Sequence, residues 1–530
     1  MSVRVIRAAL GLIVGTGVLA ASGLAAAPAA AETGPARLAV IMPVTVPAEE
    51  GGLIEADALA SYTAAGGLLR RQLDAAAMHP VTLAIDPRII ASIRVLGSEA
   101  PPSALAWLQR LSALPQESFA LPYANADTTL ATQAGAAAIP QAESLEFAIV
   151  PERFAPDGET AAPDSPATGT GPALPDTAQL LDWSHRGVQL HWPVENTVIA
   201  SDLPLIAAAG FDTVLLSSGN TDAPGPVAAL GELRAIIADE HVSAALREAT
   251  GAGAMAGWTA ALDALGEHLA AGQSVVATLD RTPAGALGRL QQTLDALAAD
   301  PDILLVPLSA ISAAEAPEAA LIDLPQDPQR VAAVRPLLEL DARVQQFSAI
   351  AAEPELISGP RRLELLAALD AAWPGLDAVE QAVETSRDVL SAVQVVASTD
   401  VNFFTDRSSI QVPVRNDLDQ AVTVYLTVSP DRPLLSVENR MVELTLEPRS
   451  VVSAPVPVQS ISNGTVNLTM TLRSADGMAI GSPARIAVNV QAGWEGPIVG
   501  IIAAVLVIVF AGGLVRNILR RRRERTEAAG

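Results

Sequence analysis

The sequence predicts an α/β protein joined to an all-β module. It reads as an N-terminal β/α barrel of about seven units, a helical linker layer, a C-terminal immunoglobulin-like β-sandwich and one C-terminal transmembrane helix. Three observations carry this prediction. Short apolar runs alternate with alanine- and leucine-rich stretches from Ala36 to Ala314. The apolar period becomes two after Asp400, and an uncharged stretch followed by an arginine cluster stands near the end.

Composition narrows the function classes. The 530 residues are 50% hydrophobic and 17% charged, below the usual share of about 25% charged, so the body is not a disordered acidic tail. A net charge of −25 argues against a nucleic-acid partner, because phosphate binding needs a basic face. With no cysteine, thiol catalysis and cysteine-ligated zinc or iron–sulfur sites are excluded. Every basic side chain other than histidine is arginine, so a P-loop or Schiff-base lysine is excluded as well.

The two ends predict location. Residues 1–31 read as a signal peptide: Arg4 and Arg7, the apolar run Ala8–Ala20, and the small residues Ala29-Ala30-Ala31 before cleavage at Glu32. An uncleaved anchor is the weaker reading, because the apolar core is short and Gly11, Gly15 and Gly17 weaken a helix. Near the other end, Pro497–Val515 contains no charge. Nineteen residues at about 1.5 Å each span about 28 Å, close to the hydrocarbon thickness of ~30 Å. Trp494 stands just outside it, and Arg516, Arg520, Arg521, Arg522, Arg523 and Arg525 follow. Such a cluster stays cytoplasmic and binds anionic lipid, so residues 516–530 are expected to be a basic inner tail. The leader carries +2 and the tail +4, leaving −31 on Glu32–Gly496. The expected protein is single-pass in the cell membrane, with its N-terminal ectodomain extracellular.

Within the ectodomain the barrel is expected over residues 36–314. Its strand candidates are Leu38–Val46, Val81–Asp86, Ser118–Tyr123, Val188–Trp192, Thr213–Ser217, Ser274–Asp280 and Ile303–Leu308. Helical spacing lies between several of them, at Ile54–Met78, Ala104–Leu114, Ser201–Ala209 and Ala260–Ala271. Strands apolar on both faces and separated by helices indicate a parallel sheet, and the number of units favours a barrel over an open doubly wound sheet. No G-x-G-x-x-G follows the first strand, which counts against a dinucleotide cofactor. Residues 151–175, rich in proline, glycine and small polar residues, read as a flexible insertion. Residues 318–398 read as a helical region, with Leu363, Leu366 and Leu369 at helical spacing. Residues 400–492 alternate, as in Val422–Val428 and Val466–Leu472, with turns at Asn416-Asp417, Pro430-Asp431, Asn463-Gly464 and Asp476-Gly477.

Several of these stretches resemble an uncharacterised actinobacterial envelope family, domain-of-unknown-function family 6049. The residues that carry the likeness are Leu38-Ala-Val-Ile-Met-Pro-Val44, Val81–Pro87, Leu121–Asp127, His191-Trp-Pro-Val194 and Ile410–Leu418, followed by the span and arginine tail. The resemblance implies a cell-wall context, since members are often encoded near the lipid II flippase of peptidoglycan synthesis. The N-terminal part also looks like the β/α barrels of polysaccharide deacetylases and related glycoside hydrolases.

In such barrels chemistry sits where the strands end. If the protein is a hydrolase, Asp86 and Asp280 are the candidate general acid and base. Tyr123, Asn125, Asp127, His191, Trp192 and Glu195 are the candidate ligand-binding residues, with the two aromatics available to stack on a sugar. The plain structural reading stands beside each: Asp86 and Asp127 as helix caps, Trp192 as core. A deacetylase of the resembled type needs an aspartate and two histidines at helical spacing. The five histidines, His79, His185, His191, His241 and His268, include no H-x-x-x-H pair, so no metal and no cofactor are expected. The leading expectation is a barrel that does not catalyse and that binds cell-wall glycan or scaffolds a peptidoglycan-synthesis partner. The alternatives are a glycoside hydrolase with paired carboxylates at the barrel mouth and an assembly factor for a polytopic membrane protein such as the flippase.

Overall fold

The computed structural model describes residues 34–154, 174–282, 288–396, 401–403, 407–490 and 495–527. The expected signal peptide, Trp494 and most of the 151–175 insertion lie outside the described residues.

The first strand, β1 (Ala36–Val44), is buried almost throughout, as its unbroken apolar sequence requires of a central parallel strand. It pairs in parallel with β2 (Thr82–Ile85) through Ile41–Val44 and with β7 (Ser274–Thr278) through Arg37–Ile41. The sheet continues beyond β2 to β3 (Ser118–Ala120), and beyond β7 to β6 (Leu233–Ala238) and β4 (Thr213–Ser217). A short β8 (Ile303–Leu305) joins β1 at Ala36–Leu38, and β5 (Val227–Leu230) pairs antiparallel with β6. The N-terminal part is therefore a mixed α/β layer around a sheet whose long axis is parallel.

Two sequence expectations need correction here, and one hairpin is additional. Val188–Trp192 forms no strand of its own; it makes a single parallel bridge, His191 to Val214. The stretch Arg186–His191 nevertheless ties the two outer strands, since Ser118 N–H donates to Arg186 O at one end and Leu215 N–H donates to His191 O at the other, both at 2.8 Å. Ile54–Met78 is two helices, Ala56–Thr63 and Leu68–Ala76, broken where Gly66 takes a left-handed φ of 80°. The β5–β6 hairpin was not foreseen, and Gly231 at φ 63° makes its turn.

Three helices, Pro328–Ser348, Glu355–Ala368 and Asp377–Ser391, follow the α/β part. Their apolar faces share one core with Ala91, Tyr123 and Leu130, so the layer rests on the loops and helices that follow β2 and β3. Gly52 shows how close the approach is: a Cβ there would lie 2.2 Å from Leu363 Cβ.

The C-terminal part is antiparallel in its main ladders. One sheet runs β10 (Val401–Phe403), β17 (Ala479–Val490), β16 (Gly464–Arg473), β12 (Val422–Pro430), β14 (Met441–Leu446). The other runs β13 (Leu435–Val437), β15 (Ser450–Ser460), β11 (Arg407–Asn416), β9 (Val393–Val395). Alternate residues such as Val424, Leu426, Val456, Leu468 and Val488 point into one common core, as period-two patterning dictates. A helix then runs from Glu495 to Glu527. Its stretch Val499–Arg522 is long and apolar enough to cross a membrane, and its apolar side chains, among them Val507 and Phe510, are exposed.

Candidate functional site

Asp86 follows β2 directly and caps the helix Pro87–Val95, with Oδ1 accepting from Arg88 N–H at 2.9 Å. The same oxygen accepts from Ala124 N–H, also at 2.9 Å. Ala124 and Asn125 both hold positive φ (54° and 52°), an uncommon conformation for residues other than glycine. This kink after β3 turns Asn125 inward. Its Nδ2 donates to Asp370 Oδ1 at 2.8 Å, and Ala371 N–H donates back to Asn125 O at 3.1 Å. Asp370 stands just past the end of the helix Glu355–Ala368, so the helical region inserts a carboxylate where β2 and β3 end.

Arg88 and Arg281 balance this charge. Arg88 is fully buried, with Nε 3.6 Å from Asp86 Oδ2 and Nη2 3.8 Å from Asp370 Oδ2. None of its guanidinium nitrogens makes a direct hydrogen bond, and those two carboxylate oxygens are equally without one. Arg281, just past β7, donates from Nε to Asn125 Oδ1 at 2.7 Å, from Nη2 to Asn125 O at 3.1 Å and from Nη1 to Trp192 O at 3.0 Å. Its guanidinium lies 5.6 Å from the Trp192 ring centroid. Arg281 therefore ties the loops after β3 and β7 to the Trp192 backbone and covers one face of the Trp192 ring.

Electrostatics follow from this burial. Desolvation raises the Asp86 carboxyl above its usual range despite Arg88 beside it, and pushes Asp370 up to about 6. Burial also lowers the Arg281 guanidinium and raises the Tyr123 phenol, whose hydroxyl donates to Gly52 O at 2.7 Å. Asp127 caps the helix Thr128–Gln133 and takes both oxygens to Gln326 Nε2, at 2.9 and 2.8 Å. His191 meets Thr128 Oγ1 through Nε2 at 3.0 Å; burial holds it down to about 3, so it is neutral at ordinary pH.

Outside this plug lies a cleft lined by Trp192, Glu195, Arg247, Asp280, Arg281 and Ala371. Arg247 clamps the Glu195 carboxylate through both terminal nitrogens, and Thr278 Oγ1 donates to Glu195 Oε1 at 2.8 Å. Asp280 is exposed and accepts from Thr282 N–H at 2.8 Å.

The structure thus joins Asp86, Tyr123, Asn125, Asp127 and Trp192 in or against one buried network. It sets His191 against Thr128, the residue after Asp127, and puts Glu195 and Asp280 together in the outer cleft. Arg88, Arg247, Arg281 and Asp370 were not among the candidates read from the sequence. Two of them stand next to residues that were, in Asp86-Pro-Arg88 and Asp280-Arg281. Among the described residues, no three His, Asp or Glu side chains converge as a metal site would need.

Fold and site together define an α/β protein in which buried ion pairs fill the end of a parallel sheet, followed by antiparallel sheets and a membrane-length helix. The chain belongs to a family of unknown function, DUF6049, whose profile matches residues 24–527. A search of curated proteins finds no match. Among solved structures, the chain is similar to a 4-alpha-glucanotransferase from Thermococcus litoralis at 12% identity, over 83% of this chain and 85% of that one, with a TM-score of 0.41. A Cellulomonas fimi endo-beta-1,4-mannanase double mutant matches at 11% identity over 85% and 94%, TM-score 0.19. Native Escherichia coli alpha-2-macroglobulin matches at 14% identity over 18% of this chain, TM-score 0.16; the chain spans only 7% of that protein. All three TM-scores lie below 0.5.

Proposed function

We propose that this is an exported, membrane-anchored cell-envelope protein whose parallel sheet closes as a β/α barrel that binds or scaffolds and does not cut. The immunoglobulin-like module would hold that barrel off the bilayer, with the arginine tail inside on anionic lipid. One observation carries the non-catalytic part. Arg281, Asn125 and Asp370 fill the end of the sheet where barrel enzymes keep their chemistry, and the chain itself supplies the cover. Support for closure comes from the Arg186–His191 segment, which is hydrogen-bonded to β3 and to β4. Cell-wall glycan and a peptidoglycan-synthesis membrane protein such as the lipid II flippase are the proposed partners. Co-purification of the full chain from solubilised membranes tests this. Recovery of one membrane protein or of wall glycan in stoichiometric amount is expected, and recovery of neither would contradict it.

A glycoside hydrolase is the second reading, favoured by the outer cleft that Glu195 and Asp280 share. Asp86 fits that role less well, because its Oδ1 is spent on the cap and on Ala124. If this reading holds, Asp280→Asn should abolish turnover without unfolding the chain.

A further inference from the structure

The last strand, β17, ends at Val490, and the membrane-length helix begins at Glu495. Five residue steps reach at most about 18 Å, whatever path they take. The end of the β module where Val490 lies is therefore held close to the place where the apolar helix starts. Register fixes which loops share that end: Gly464 pairs with Val490, and Pro430 pairs with Leu468. The loops 431–434 and 461–463 thus stand beside the exit of the chain.

These loops carry an apolar tip. Ile461 is 55% exposed, Pro433 is exposed and Leu434 half-buried, with Arg432 exposed next to them. The tip is held in shape by hydrogen bonds. Ile461 N–H donates to Leu434 O at 2.9 Å, and Asp431 Oδ1 and Oδ2 accept from Asn467 N–H and Nδ2 at 2.9 and 2.8 Å. A single exposed isoleucine elsewhere on the surface would need no explanation. Here it projects from a braced double loop at the one end of the module tethered to the bilayer helix, with an arginine beside it for lipid phosphate.

We propose that Ile461, Pro433 and Leu434 dock into the headgroup region of the bilayer from which the helix emerges, fixing the module against the membrane as a second, peripheral contact. The proposal rests on the reading of Val499–Arg522 as a span. Because the chain has no cysteine, single cysteines report cleanly. The full chain, placed in vesicles of phosphatidylethanolamine and phosphatidylglycerol, would carry an environment-sensitive dye at Ile461→Cys, Val507→Cys or Asp476→Cys. Asp476 lies in the exposed turn between β16 and β17, at the opposite end of the module. The dye at 461 is expected to shift to the blue and to be quenched by lipid spin-labelled near the headgroup. The dye at 507 should be quenched by deep labels, and the dye at 476 by neither. Quenching at 507 with 461 behaving like 476 overturns the docking while leaving the span intact. A blue shift at 461 without lipid quenching also overturns it, since a second copy or another protein would then cover the tip. Absence of quenching at 507 removes the span and the docking together.

Discussion

Asn125 Nδ2 and Asp370 Oδ1 meet at 2.8 Å in the interior although 245 residues separate them. This contact joins the loop after β3 to the helical region, and both partners are buried. A hydrogen bond to a buried charged group is worth about 1.5–3 kcal/mol, and its partners should couple. Chemical denaturation of the Asn125→Ala, Asp370→Ala and double variants should therefore give a coupling energy of about 1–3 kcal/mol. Additive effects would mean that the contact does not hold the helical region on the sheet.

Arg88 is the most exacting residue of the network. Removing it leaves Asp86 and Asp370 buried without their shared cation, and breaking a buried pair in this way costs about 3–5 kcal/mol. Arg88→Met should lower the urea midpoint by that equivalent. Arg88→Met with Asp86→Asn and Asp370→Asn should recover much of the loss, because the uncompensated charges go with the arginine.

Protonation of Asp370 gives a pH signature. Its carboxyl lies near 6 when folded against an ordinary value of 3.8. The folded state therefore holds the proton more tightly, and the stability this contributes is fully present below about pH 3.8 and lost as pH rises through about 6. Relative to Asp370→Asn, the wild-type chain should lose unfolding free energy between pH 4 and pH 7. His191 works the other way. Held down to about 3 against 6.5, it contributes stability above pH 6.5 that disappears on acidification toward 3, and His191→Gln should flatten that arm. Denaturation curves at matched ionic strength would separate the two.

Much of the fold could be read from the sequence, for identifiable reasons. Strands β1, β2, β4 and β7 are apolar runs bounded by turns, and the antiparallel strands alternate with period two. Asp86 and Asp127 stand where a cap must stand, and both cap. Val188–Trp192 has strand composition, but only one bridge of it is made, so propensity alone misjudged it. The ion-pair network was not legible. Arg88 looks like the outer face of a helix until Asp370 arrives from a distant segment, and no local pattern announces such a pairing.

Gly52 offers a packing test. A methyl group there would lie 2.2 Å from Leu363 Cβ and 2.9 Å from the Leu363 carbonyl carbon, so the helix Glu355–Ala368 would have to move. Overpacking of this kind costs about 1–3 kcal/mol. Gly52→Ala should lower the denaturation midpoint, whereas Gly253→Ala, whose added carbon meets nothing within 4 Å, should leave it unchanged or raised.

The most direct test is release of sugar or acetate from peptidoglycan and soluble glycans by the purified full-length chain, run beside Asp280→Asn and Glu195→Gln. A sheet end filled by Arg281, Asn125 and Asp370 predicts binding without release, at the same background level in all three proteins. Steady release by the wild-type chain, abolished in either variant while its fold is intact, would contradict the account.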